Sequence, residues 1–191
     1  MKSSMTLKKI MILALSLFAL SAQAEIKNEQ RVLGGLLARG GVKNRQPLST
    51  SDLRGLCERG FTHAYTLYGG AHQTVECSRG TIEYRGSKDF RTPEEMNRIL
   101  ENIQTGLSTK EHTFVHCNNG AHASGFAAAI VLRTFCGLSA DEAINYWDKT
   151  LNGYALQEPN RSNLMKRIRN YPVRTDLELN AGQKQAFGCP N

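Results

Sequence analysis

The sequence predicts an α/β domain in which a small sheet is flanked by helices. Short apolar runs typical of buried strands alternate with segments whose apolar residues recur at helical spacing. The helical segments become more frequent towards the C-terminus. The sequence has no internal repeat, low-complexity tract or linker-like segment, so a single domain is expected.

The first 24 residues have the composition of a secretory signal peptide. Lys8 and Lys9 precede an apolar run over residues 10–20, and Ala22 and Ala24 supply the small residues of a cleavage site. The apolar run is too short for a comfortable membrane span. The sequence therefore predicts a periplasmic or secreted protein with no stable membrane anchor.

Cleavage would leave residues 25–191 as a single domain. Its 167 residues are enough to bury about 70% of the surface of the unfolded chain. The formal net charge of the whole chain is +7, and the signal segment holds three lysines and no acid, so +4 remains. This mild surplus is compatible with anionic ligands and does not indicate a nucleic-acid partner.

The first half of the domain is predicted to alternate between strands and one short helix. Residues 35–41 are interpreted as a strand and turn, and residues 52–58 as a short helix with N-cap candidates at 49–51. Residues 61–68 have the pattern of a buried strand. Residues 73–84 are extended chain interrupted near Arg79 and Gly80.

Helices dominate the second half. Thr92, Pro93 and Glu95 indicate a helix start with a capping box. Ser139 and Glu142 indicate a second capping box. Further predicted elements are a strand over 113–116 and helices over 124–135, 140–151 and 162–170. The 124–135 helix is apolar nearly all round, which predicts a central, buried position. The basic residues of the last helix are most simply a solvated face.

The most informative stretch is HCNNGAHASG, residues 116–125, at the corner between the 113–116 strand and the 124–135 helix. A cysteine at such a corner lies among backbone N–H groups at the positive end of the helix dipole. That environment favours the reactive thiolate. The same N–H groups can hold a tetrahedral anion, so the corner indicates attack by Cys117 on a bound phosphate ester.

The order of strand, His-Cys, glycine-bearing loop, serine, glycine and apolar helix resembles the signature of protein tyrosine and dual-specificity phosphatases. His116, Cys117, Gly120, Ser124 and Gly125 match that signature in register. Residues 37–63 are similar to the opening strand, helix and strand of compact bacterial and dual-specificity members. The resemblance implies a small mixed, largely parallel sheet flanked by helices, and hydrolysis of a phosphate monoester.

The resemblance also implies roles for individual residues. Asp89, before the Thr92 helix, is placed as the general acid that protonates the leaving oxygen and then activates water. Ser124 would stabilise the departing thiolate, and His116 would be a buried orienting residue. The loop donors would come from Asn118, Asn119, Gly120, Ala121, His122 and Ala123. No cofactor is implied.

Ala123 departs from the family signature at the position of its arginine, six residues after the cysteine. That arginine grips two phosphate oxygens, and its loss should cost about 3 kcal/mol or more of transition-state stabilisation. His122 is a partial substitute at best, because an unperturbed histidine is mostly neutral at pH 7. Arg85, Lys88 and Arg91 flank Asp89 and are candidates for reaching the anion from that loop.

Three functions are therefore open: a slow or atypical phosphatase, a pseudophosphatase that only binds phospho-ligands, and thiol redox chemistry at Cys117. The expected partner is a phosphorylated small molecule or a phosphoprotein. The histidines have no metal-ligand spacing, so no metal is assigned. Of the five cysteines, Cys117 is the candidate free thiol, and the other four allow two disulfides in three pairings.

Overall fold

The computed structural model describes residues 26–190, and the predicted signal peptide lies outside them. The strands are β1 Lys27–Val32, β2 Leu37–Gly41, β3 Phe61–Thr66, β4 His72–Cys77, β5 Gly80–Gly86 and β6 His112–Cys117. The helices are α1 Thr50–Glu58, α2 Pro93–Thr109, α3 His122–Cys136, α4 Ala140–Lys149, α5 Asn160–Arg169 and α6 Ala181–Ala186. Short 3-10 turns occur at Leu33–Gly35, Lys43–Arg45 and Thr175–Leu177.

The sheet confirms the predicted mixed, largely parallel architecture. Its strand order is β1-β2-β6-β3-β5-β4. The four central strands, β2, β6, β3 and β5, are mutually parallel, while β1 and β4 pair antiparallel at the two edges. Parallel strands bury both faces, which explains why β6 is buried from Thr113 to Cys117. Because β6 is central, its C-terminal end delivers Cys117 to the middle of one sheet edge.

Local capping sets the helix starts. Ser49 and Asp52 form a reciprocal capping box at α1, and Ser139 and Glu142 form the predicted box at α4. Thr92 caps α2 by accepting from the Glu95 N–H. The helix that starts after Thr92 continues to Thr109, and α3 begins at His122 rather than at the predicted residue 124. The sequence reading missed β1 and α6, both short and without a strong apolar period.

Two apolar layers lie on opposite faces of the sheet. The smaller one packs α1 against Ala64, Ile82 and Phe114. The larger one contains α3 with the inner faces of α2 and α4. As predicted, α3 is the central helix: Gly125 to Leu132 are all buried. This burial fixes the N-terminus of α3, and therefore the loop that precedes it, against the end of β6.

Two disulfides tie secondary elements together. Cys57 of α1 is joined to Cys77 of β4, and Cys136 at the end of α3 is joined to Cys189 after α6. Cys117 is the free, buried cysteine that the sequence analysis singled out. Since the other four cysteines are paired with one another, none of them is a free thiol that could be oxidised with Cys117 to a further disulfide. Within residues 26–190, no helix is long and apolar enough to span a bilayer.

Candidate active site

The loop over residues 118–121 joins β6 to α3. Neighbouring residues hold it by donating hydrogen bonds to carbonyl oxygens of the loop and of Cys117. Val42 N–H donates to Cys117 O at 2.8 Å. Gly120 O accepts from the guanidinium of Arg39 and from Asn28 Nδ2, the latter at 3.4 Å. These bonds turn loop carbonyl oxygens outward, so that in a trans peptide the N–H groups face inward.

The inner side of the loop carries unused donors. Among the hydrogen bonds of residues 26–190, none has the backbone N–H of residues 118–124 as its donor, and the first bond at the helix start is Gly125 N–H to Ala121 O. A helix leaves only its first N–H groups without partners. Here the run begins before the helix and includes the buried residues Gly120 and Ala121. Buried N–H groups are nearly always paired, so this run indicates a site for an anion.

Two glycines make the loop geometry possible. Gly120 has a φ of +68°, and a Cβ there would lie 2.6 Å from Gly41 N. A Cβ on Gly41 would lie 2.5 Å from the carbonyl carbon of Asn119. Both contacts are with backbone atoms, which cannot move aside as a flexible side chain can. The loop therefore lies directly against the end of β2 because both positions lack a side chain.

Cys117 and Ser124 meet beneath this loop. Cys117 Sγ lies 3.3 Å from Ser124 Oγ, and both residues are buried. One of these two atoms donates to the other. When Cys117 is a thiolate, only the serine can donate, so the geometry allows Ser124 O–H to stabilise negative charge on the sulfur.

His116 is neutral and held from one side. Leu48 N–H donates to Tyr84 Oη at 3.1 Å, which leaves the tyrosine O–H free to donate to His116 Nε2 at 2.8 Å. Burial lowers the pKa of His116 to about 4. A neutral imidazole that accepts at Nε2 carries its proton on Nδ1, the nitrogen nearer the backbone. The buried placement agrees with the predicted orienting role and leaves no positive charge there at neutral pH.

A cavity of about 710 Å³ opens beside the loop. Ala123 and His122, at the start of α3, are among its lining residues, and Tyr68 and Phe90 supply part of its apolar wall. Burial raises the pKa of Tyr68, which is therefore neutral at pH 7. The space beside Ala123 is therefore open cavity, lined in addition by basic and amide side chains from three other segments: Arg45, Arg91, Asn160, Asn163, Lys166, Arg167 and Asn170.

Solved structures share this architecture. TpbA of P. aeruginosa matches with a TM-score of 0.53 and 14% identity over 88% of this chain and 98% of that chain. Kinase associated phosphatase matches with a TM-score of 0.52 and 15% identity, over 78% of this chain and 96% of that chain. PTPMT1 in complex with PI(5)P matches with a TM-score of 0.51 and 14% identity, over 74% of this chain and 94% of that chain. The chain has the fold of the cysteine-based phosphatases. Family models and the sequences of curated proteins give no match.

Within this phosphatase fold, Asp89 is tied to its neighbour. Arg91 Nε donates to Asp89 Oδ1 at 2.6 Å, and Arg91 Nη2 donates to Oδ2 at 3.2 Å. The hydrogen bond from Arg91 holds the pKa of Asp89 below its ordinary value. A general acid must carry a proton, and this pairing favours the carboxylate instead. The role of Asp89 stays a prediction, and it requires Arg91 to move when substrate binds.

The candidate cations differ in where they point. Arg91 lines the cavity, whereas Arg85 pairs with Glu83 at 2.5 Å and is not among the described residues that line it. His122 Nε2 donates to Tyr154 O at 2.6 Å, so this nitrogen is occupied and the ring is anchored to the chain after α4. The structure therefore brings His122 and Arg91 to the cavity and leaves Arg85 outside it.

Sequence reasoning missed two arginines of the site. Arg45 lies over the Tyr68 ring at 5.1 Å and donates its backbone N–H to Asn118 Oδ1 at 3.1 Å. Arg39 is fully buried in β2, behind the loop. The sequence contains a signal for Arg39: it is a charged residue within a predicted buried strand of small residues. Arginine is almost never fully buried without a specific partner, so this position indicates a role for the side chain. Arg45 lies in an irregular turn, where the sequence gives no such signal. Residues 26–190 contain no cluster of ligands suited to a metal ion.

Proposed function

We propose that this chain is an exported cysteine-dependent phosphatase that hydrolyses a phosphate monoester through a phosphocysteine on Cys117. The observation that carries the proposal is the run of backbone N–H groups without acceptors, at residues 118–124, immediately after the buried Cys117 in the chain. The shared fold supports the reaction class. The two disulfides support an oxidising compartment.

In the proposed reaction, the Cys117 thiolate attacks phosphorus while the bond from phosphorus to the leaving oxygen breaks. The loop N–H groups bind the equatorial oxygens, and the leaving oxygen takes a proton from Asp89 in its protonated form. A water molecule then attacks the phosphocysteine and gives a proton to the Asp89 carboxylate, the sulfur–phosphorus bond breaks, and phosphate is released. Ser124 O–H stabilises the returning thiolate, 3.3 Å away. The bond to Arg91 must loosen before Asp89 can hold a proton, which favours a slow enzyme.

The rate should be reduced because Ala123 provides no guanidinium. One preorganised charged donor contributes on the order of 3 kcal/mol, or a hundredfold to a thousandfold in rate. The cavity beside Ala123 has room for a longer side chain, since no other described side chain fills it. The Ala123→Arg variant is therefore expected to hydrolyse a small aryl phosphate about a hundredfold faster than the natural sequence.

The decisive assay compares the mature protein with Cys117→Ser and Ala123→Arg on a small aryl phosphate. Folding is checked by counting free thiols after denaturation: one in the natural chain and none in Cys117→Ser, because the other four cysteines are in disulfides. Turnover above the Cys117→Ser background supports the proposal. Correctly folded protein with no such turnover would exclude catalysis.

A pseudophosphatase is the second candidate function. Ala123 and the pairing of Asp89 with Arg91 favour it, since together they remove the cation and occupy the acid while leaving the loop donors intact. The expected ligand is a phosphorylated small molecule or a phosphoprotein. PTPMT1, which has the same fold, was solved with PI(5)P. A binding protein would show a melting temperature raised by phosphate or a phospho-ligand through mass action, without hydrolysis.

Export is tested separately. The full chain, expressed in a Gram-negative host, is expected in the periplasmic fraction with an N-terminus at residue 25. Cytoplasmic protein that retains residues 1–24 would contradict the export part of the proposal and leave the proposed chemistry unaffected.

A further inference from the structure

The basic residues of α5 divide into two pairs with different surroundings. Arg161 donates to Asp148 at 2.9 Å, and Arg169 donates to Asp141 at 2.6 Å, so both are neutralised by α4. Lys166 and Arg167 are exposed and line the cavity instead. Among residues 26–190, neither of these two is part of an ion pair. The helix therefore presents two unneutralised cations to the cavity and two neutralised ones elsewhere.

The composition of the cavity wall agrees with an anionic ligand. Among its described lining residues, none carries a carboxylate. Asp89 is an acid near this charge: the hydrogen bond from Arg91 lowers its pKa, and the charge of Arg167 acts in the same direction, so this carboxylate is already bound by Arg91. Asn160, Asn163 and Asn170 add neutral donors on the α5 side. The uncompensated positive charge is therefore available to a bound molecule.

The cavity can hold a ligand that reaches both the start of α3 and the two cations of α5, since His122, Ala123, Lys166 and Arg167 all line it. A volume of about 710 Å³ falls in the range of about 300–1,000 Å³ that drug-sized ligands occupy, far more than one phosphate group needs. The loop end, at His122 and Ala123, would hold the reacting phosphate. Tyr68 and Phe90 offer apolar surface for a carbon skeleton, and α5 supplies the other wall.

We propose that Lys166 and Arg167 form a second anion subsite, and that the preferred ligand is a small molecule with two phosphate groups. The inference rests on the proposed function in one respect, that the free backbone N–H groups of residues 118–124 bind the first phosphate. The second phosphate would accept charge-assisted hydrogen bonds from the two α5 side chains, with the carbon skeleton against the apolar wall. Such bonds should strengthen binding about tenfold or more over the matching monophosphate.

The test measures binding without turnover, in the mature protein carrying Cys117→Ser. Fructose 6-phosphate and fructose 1,6-bisphosphate are titrated by calorimetry at low and high salt. The bisphosphate is expected to bind about tenfold more tightly at low salt, with the difference shrinking at high salt. Lys166→Gln with Arg167→Gln should abolish the difference and leave monophosphate binding in place.

The matched control is Arg161→Gln with Arg169→Gln, which removes the same charge from the same helix. It should keep the preference, because those side chains are paired with α4. Equal affinity for the two sugars, or equal loss of preference in both double variants, would overturn the subsite. Binding to phosphatidylserine vesicles that depends on Lys166 and Arg167, without a bisphosphate preference, would assign the patch to a membrane surface and also overturn it. Loss of monophosphate binding in the Cys117→Ser protein itself would instead count against the loop and the proposed function.

Discussion

Arg39 tests whether a buried charge behind the loop contributes to anion binding when position 123 is alanine rather than arginine. Arg39 is fully buried, and its guanidinium donates to neutral acceptors: Gly120 O, Gln30 Oε1 at 2.5 Å and Thr150 O at 3.3 Å, with the Tyr146 hydroxyl as a further neighbour. None of the ion pairs among residues 26–190 includes it. A buried charge without a counter-ion is costly, and it is best explained by an anion that binds nearby.

The size of the effect follows from the geometry. One hydrogen bond to Gly120 O, one peptide group and one hydrogen bond from Ala121 N–H separate the guanidinium from an anion in the loop, a path of about 8 Å. Two unit charges at about 8 Å attract by about 2 kcal/mol at an effective dielectric constant of about 20. Arg39→Met should therefore weaken binding of phosphate or vanadate by about thirtyfold.

The effect on folding should be smaller and is measured in the same proteins. Arg39→Met leaves Gly120 O and Thr150 O short of donors, which destabilises, but it also removes a desolvated charge, which stabilises. Urea unfolding and vanadate affinity are measured for Arg39→Met, Arg39→Lys and Gln30→Leu. Arg39→Lys should retain most of the affinity because it keeps the charge, and Gln30→Leu should lose little. If Arg39→Met folds and its vanadate affinity is unchanged, the charge of Arg39 does not contribute to anion binding by the loop.

Two further predictions concern stability and loop geometry. Gly41→Ala should abolish phosphate binding, because its Cβ would lie 2.5 Å from the backbone of the loop, whereas Gly70→Ala has open space and should bind normally; equal affinities would contradict the close approach. Burial lowers the pKa of His116 to about 4, so the unfolded chain binds more protons than the folded chain between about pH 6.5 and pH 4. Lowering the pH through this window should cost about 3 kcal/mol of unfolding free energy. A His116→Gln variant with the same pH dependence in urea titrations would show that another group is responsible.

The parts of the fold that depend on local pattern could be predicted from the sequence. The apolar period of α2, the caps at Ser139 and Thr92 and the uniformly apolar α3 are local signals, and the structure contains each of these helices. The edge strand β1 was missed because it is polar, and it is held by backbone pairing with β2 and by the side-chain bond from Arg39 to Gln30 Oε1. Its existence depends on a partner strand, which no local period reveals.

For the site, the sequence singled out the candidate nucleophile Cys117, its serine neighbour and the departure at Ala123, because all lie within eight residues of one another. It also singled out Cys117 as the free thiol, and left the pairing of the other four open. The pairing of Cys57 with Cys77 and of Cys136 with Cys189 was decided by which Cβ atoms the packed elements bring together.

By itself, then, the sequence determined which residue types stand at the corner, including Cys117 and Ser124, and that alanine occupies position 123. Only the tertiary structure decided which basic side chains lie near the loop and the cavity, given that position 123 is an alanine. Arg39 reaches the loop from β2 because β2 pairs with β6, and Arg45 follows on the turn beyond it. Lys166 and Arg167 line the cavity, whereas Arg161 and Arg169 of the same helix form ion pairs with α4. These residues lie from about 40 to 80 positions away from the loop in sequence, and proximity between such distant positions is a property of packing.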